Sequence, residues 1–128
     1  MAATWSRIGE ALSFGAHAGL DRHTMVDAIN DSIVGSAHYS VKADKLKRRD
    51  YAPAGSLNLV TKDLDLALAV ARQDALPMPL SSLVRQYLAL LQGRGLGELD
   101  VAALADVLDL ISGDIGDADL LTGAGAAG

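Results

Sequence analysis

Cysteine is absent from the 128 residues. With it go any disulfide framework, thiolate nucleophile or thiolate metal site, a composition that suits a reducing cytoplasm. Aromatic residues make up only 4% of the chain, too few for the stacking platform on which single-stranded nucleic acid is bound. A net charge of −5 also opposes broad contact with phosphate backbones. No apolar run approaches the length of about 20 residues that spans a bilayer, and the N-terminus lacks a basic segment leading into an apolar signal core. The expectation is a soluble, cytoplasmic protein that binds neither nucleic acid nor membrane. Alternating apolar and polar residues and hairpin turn pairs are missing too, so no strand is expected.

What is present is helical periodicity in a chain that is 50% apolar and long enough to bury one core without staples. Trp5, Ile8, Leu12 and Gly15 recur at spacings of three, four and three, which predicts a helix from Thr4 to Ala18 stopped by Gly19. Asp21 is placed to cap a short helix carrying Met25, Val26 and Ile29, and a third helix is expected from Ser36 through Lys47. Asp50-Tyr-Ala-Pro53-Ala-Gly55 breaks the chain before a central helix. Leu76-Pro77-Met-Pro79 breaks it afterwards, because a residue preceding proline avoids the helical region. Leu80, Leu83, Val84, Tyr87, Leu88 and Leu91 mark the next helix, which ends at Gly93-Arg-Gly95-Leu-Gly97. Asp100 caps a last one bearing Val101, Leu104, Ala105, Leu108 and Ile111. The fold class is therefore all-α, a single bundle of five to six helices over residues 1–111. Residues 112–128 form a Gly/Ala-rich tail without periodicity, expected to be disordered.

The central helix carries the oddest residue. At about 100° per residue, Leu57, Val60, Leu64, Ala67, Leu68, Ala71 and Ala75 form one apolar stripe, widened by Leu59, Leu66 and Val70, so the helix is expected to be mostly buried. Asp63 projects between Leu59, Val60, Leu66 and Ala67, where a carboxylate needs a partner. Either the helix starts late, with Thr61 as N-cap and Asp63 in the first turn, or it starts near Leu57 and Asp63 faces a cleft beside Lys62.

Lys42, Lys45, Lys47, Arg48 and Arg49 put five cations into eight residues. The favoured reading is a solvated helix end, where positive charge suits the dipole; the alternative is contact with a phosphorylated ligand. Gly123-Ala-Gly125-Ala-Ala-Gly128 matches G-x-G-x-x-G letter for letter, but without the strand and following helix that make such a loop bind pyrophosphate. Gly93-Arg-Gly95-Leu-Gly97 has Glu98 where a third glycine belongs. His17, His23 and His38 show no metal-ligand spacing, and no G-x-S-x-G elbow occurs. No metal ligand and no catalytic residue is assigned.

Five segments, in this order and separation, resemble the C-terminal helical domain of the β-hydroxyacid dehydrogenases: Glu10-Ala-Leu-Ser-Phe-Gly-Ala-His-Ala-Gly19-Leu20-Asp21, Asn30 with Gly35-Ser36, Asp50-Tyr51-Ala-Pro53, Lys62-Asp63-Leu64-Asp-Leu66-Ala67 and Leu76-Pro77-Met-Pro79-Leu80. That family includes 3-hydroxyisobutyrate dehydrogenase, tartronate semialdehyde reductase and, more distantly, 6-phosphogluconate dehydrogenase. The resemblance runs from Ala2 to Ile111. It implies a 6-phosphogluconate dehydrogenase C-terminal-like fold and an N-terminal Rossmann domain that binds NAD or NADP. The helical domain then closes the active-site cleft and mediates subunit contacts. Lys62 and Asp63 become cofactor-binding residues, Lys62 near the nicotinamide or a substrate carboxylate and Asp63 organising that wall. Asn30 and Gly35-Ser36 become domain-packing features.

Three departures accompany the resemblance. No Rossmann domain lies within these residues. The family's catalytic lysine, in a G-x-x-x-K-x-x-N segment, is expected just before Met1, and Arg7 is off register and too basic to replace it. Gly55 stands where an aromatic residue usually follows the proline loop. The expectation is a truncated or split oxidoreductase domain, inactive alone, that works with NAD or NADP and a small hydroxyacid once a separate Rossmann domain docks on it. The rival is an oligomer-forming self-association module, suggested by a mean hydropathy of +0.23 and by apolar surface left for packing. A gene fragment without selected function is the third reading.

Overall fold

Gly19, at φ +83°, takes the left-handed turn that a Cβ opposes and ends the first helix. Two residues on, the Asp21 carboxylate accepts from the Thr24 backbone N–H at 2.9 Å and starts the second. The computed structural model describes residues 1–125, and these signals bracket α1 (Ala2–His17) and α2 (Arg22–Asn30). The chain continues through α3 (Ala37–Ser40), α4 (Ala43–Arg48), α5 (Leu57–Gln73) and α6 (Pro79–Gly93). A 3₁₀ helix (Val101–Asp106), α7 (Val107–Ser112) and α8 (Asp117–Gly125) follow. The described residues are all-α, without a strand.

Among the described residues eight α-helices and one 3₁₀ helix replace the expected five to six helices, because two predicted helices are divided and the predicted tail adds α8. The third breaks at Val41-Lys42, where Lys42 turns inward to the Asp100 carboxylate. The last begins as the 3₁₀ helix, all six residues of which are buried. It crosses α1 at Gly9, where a Cβ would come within 2.9 Å of the Ala105 Cα. Trp5, Leu12, Leu57, Leu88, Leu91, Leu96 and Leu104 fill the centre.

The start of α5 is fixed twice over. Ser56 caps it by accepting from the Leu59 N–H at 3.3 Å. The flanking loops pair, with the Leu57 N–H donating to the Leu99 carbonyl and the Val101 N–H to the Gly55 carbonyl, both at 2.9 Å. The tail differs from expectation: residues 117–125 form α8, with Leu120 fully buried and Asp117 accepting from Arg94 at 2.9 Å. Residues 126–128, and with them the end of the G-x-G-x-x-G string, lie outside the described residues. Among the described residues no helix is long and apolar enough to cross a membrane.

Candidate functional site on the outer face of α5

Two apolar sectors run along α5, and only one of them meets the core. Leu57, Val60, Leu68 and Ala71 are buried, whereas Leu59, Leu66 and Val70 are 51%, 62% and 60% exposed. Lys62 and Asp63 belong to the outward side: their side chains are 67% and 65% exposed and approach each other at 3.8 Å. This corrects two expectations. The helix is not mostly buried, and Asp63 is hydrated, so burial imposes no need for a partner. The late start at Thr61 is excluded, since α5 begins at Leu57. A helical wheel groups residues into sectors but carries no information about which apolar sector a neighbour covers.

Lys62 stands at the edge of a shallow hollow of about 460 Å³ between α5 and α6; Asp63 does not line it. Most polar groups of the hollow are committed to one another. Asn58 Oδ1 accepts from Gln92 Nε2 at 2.7 Å, and Asn58 Nδ2 donates to Glu98 Oε1 at 2.7 Å. Thr61 Oγ1 donates to the Leu57 carbonyl at 2.8 Å, and Arg85 Nε donates to Asp65 Oδ1 at 2.6 Å. The Arg85 hydrogen bond holds the Asp65 carboxyl below its ordinary value of 3.8. Lys62 is left as the cation in this hollow without a close partner. A Cβ at Gly55 would meet nothing within 4 Å, so open space borders the backbone there.

The basic run is not the solvated helix end expected, because four of its five cations turn onto partners within the bundle. Lys42 Nζ donates to both carboxylate oxygens of Asp100 at 2.6 Å. Lys45 donates to the Ala52 carbonyl at 2.7 Å, Lys47 pairs with Asp27 at 2.5 Å, and Arg49 reaches Asp106 and Asp109. Arg48 alone keeps to the surface, 3.8 Å from Asp44. Lys42, Lys47 and Arg49 thus tie the ends of α4 to α2, the 3₁₀ helix and α7.

The family profile described as "NAD-binding of NADP-dependent 3-hydroxyisobutyrate dehydrogenase" matches residues 1–108. The chain belongs to this family. The 3-hydroxyisobutyrate dehydrogenase of Drosophila melanogaster is 33% identical over 108 residues, covering 79% of this chain and 33% of that protein. The L-threonate dehydrogenase of Cupriavidus necator is 28% identical over 98 residues, 77% of this chain and 33% of that one. The chain spans about a third of the length of the curated relatives it matches. A crystal structure of 3-hydroxyisobutyrate dehydrogenase from Salmonella typhimurium superposes with a TM-score of 0.75 at 23% identity, over 83% of this chain and 37% of that one. At that identity the likeness speaks for the fold. The chain is thus a helical member of an NAD(P)-dependent hydroxyacid dehydrogenase family.

For this family member, two groups escaped the sequence reading. One is the Asp65–Arg85 pair beside Lys62, whose partners sit twenty residues apart on facing helices. The other is Asp106, fully buried among Arg22, Arg49 and Tyr51. A signal for the second exists in Val101-Ala-Ala-Leu-Ala-Asp106-Val-Leu, where an acid interrupts an apolar run. Asp106, rather than Asp63, is the carboxylate that burial obliges to find partners.

Proposed function

We propose that these residues form the helical wall of an NAD(P)-dependent hydroxyacid dehydrogenase and that the outer face of α5 closes on a Rossmann domain. The observation that carries this is the uncommitted Lys62 ammonium beside the exposed Leu59, Leu66 and Val70. Apolar surface of that kind favours a packed partner. A free cation beside it suits an anion, such as a cofactor phosphate or a substrate carboxylate, because ion–hydrogen-bond contacts strengthen when water is excluded. The nicotinamide, when bound, supplies the hydride chemistry. Lys62 holds the negative charge of the substrate or cofactor in place as the reaction proceeds, while Asp63 accepts hydrogen bonds from the docked domain. The substrate is a small hydroxyacid, and cofactor binding depends on the Rossmann domain.

The test mixes the 128-residue chain with a Rossmann domain from a family enzyme and follows NADH or NADPH formation from small 3-hydroxy acids. Turnover is expected from the mixture and from neither part alone, with Lys62→Met lowering it at least tenfold, the loss of one charge-assisted contact of about 1.5–3 kcal/mol. Turnover by the 128 residues alone, or an unaffected Lys62→Met mixture, contradicts the reading. Self-association through the same face is the competing reading, and Leu59, Leu66 and Val70 serve it equally well. Sedimentation distinguishes the two: an oligomer that persists in the presence of the Rossmann domain and cofactor supports the competitor.

A further inference from the structure

Asp65 lies three residues after Lys62 and lines the same hollow. Residues at that spacing are neighbours on a helix surface, and an oppositely charged pair there attracts. Yet the two do not pair: Lys62 finds only Asp63, at 3.8 Å, while Asp65 accepts from Arg85 on α6 at 2.6 Å. Arg85 is about three-quarters buried, so its guanidinium is held in place by the packing of α5 on α6. Arg72, the other cation near Asp65, sits two turns further along α5 and is exposed, and Asn58 and Gln92 are satisfied by each other.

We propose that Arg85 is a positioning residue for Lys62: by occupying Asp65, it denies that carboxylate to the ammonium and keeps Lys62 available to an anionic ligand. The proposal rests on the anion-binding role given to Lys62 above. Without Arg85 the hollow holds a cation and an anion in reach of each other, and Lys62 turns inward onto Asp65. The role is electrostatic, so a lysine at position 85 retains part of it, and removing the Asp65 charge makes Arg85 dispensable.

The test reads Lys62 directly. The intact 128-residue chain is treated with a small acetylating ester, and the acetylation rate at Lys62 is followed by mass spectrometry, with Lys47, outside the hollow and paired with Asp27, as the internal reference. Arg85→Gln is expected to slow acetylation of Lys62 about twofold, the size of a helix-surface ion pair. Arg85→Lys is expected to fall in between, and the double variant Asp65→Asn/Arg85→Gln to return to the original rate. A merely structural Arg85 predicts the opposite pattern, in which the double variant is no better than Arg85→Gln. An unchanged rate in Arg85→Gln, or no recovery in the double variant, overturns the proposal. The labelling needs no cofactor, so a positive result alongside a failed reconstitution with the Rossmann domain leaves the charge arrangement standing and removes only the functional reading.

Discussion

Asp106 gathers three partners at a point no water reaches. Arg22 Nη1 lies 2.8 Å from Oδ1 and Arg49 Nε 3.3 Å from Oδ2, and the Tyr51 hydroxyl donates to the same carboxylate. Removing one member of a buried ion cluster leaves its partners without their countercharge, at about 3–5 kcal/mol. Asp106→Asn is therefore expected to lower the urea midpoint by an amount corresponding to about 3 kcal/mol or more, while Asp63→Asn leaves it where it is. Equal midpoints for the two variants would contradict this account of where the buried charge lies. These contacts were hidden from the sequence because Lys42–Asp100, Tyr51–Asp106 and Arg49–Asp109 join positions 55 to 60 residues apart. A cation run in the sequence looks solvated until its carboxylates are located. Tyr39 makes a pH prediction. Burial pushes its hydroxyl up from 10.0 to about 12, so the folded state keeps the proton longer than the unfolded chain. Its contribution is fully present below pH 10 and is lost as pH rises through about 12. Thermal melts are expected to fall across that window, and to fall less steeply in Tyr39→Phe; an identical slope in the variant would assign the loss to other groups, Tyr51 first among them.

At the scale of elements, α1, α2, α5 and α6 were legible because periodicity and caps agree: Asp21 caps α2, Ser56 caps α5 and Pro79 opens α6. The segment after Asp100 was less so. Its alanines allow either an α-helix or a tighter 3₁₀ path, and the choice is made by contact with α1, which sequence spacing does not encode. Gly9 is where that contact is closest. Gly9→Ala improves helix propensity by about 1 kcal/mol but drives a methyl into the backbone of Ala105, and overpacking of that kind costs about 1–3 kcal/mol. The expected net result is a lower melting temperature; a higher one would mean that α1 and the 3₁₀ helix can separate freely. α8 was missed for a related reason. Its Gly/Ala composition shows no stripe, and its order comes from Leu120 in the core and the Arg94–Asp117 pair.

For the whole molecule, the sequence pointed to the correct family and erred about the environment of α5. The resemblance offers Lys62-Asp63 as the candidate site, and the structure shows beside it an outward apolar face that a wheel assigned to the core. Under the proposed function, that exposed face is the docking surface. Leu66→Glu is expected to leave the melting temperature within about 2 °C, since an exposed side chain contributes little to the fold, yet to abolish docking of a Rossmann domain; unaltered docking would move the interface elsewhere. The most direct measurement of the central claim is an amide chemical-shift map of the 128-residue chain titrated with an NADP-loaded Rossmann domain from a family enzyme. The account predicts shifts centred on Leu59, Lys62, Asp63, Leu66 and Val70. Shifts centred on another face, or none at all at saturating partner, would contradict it.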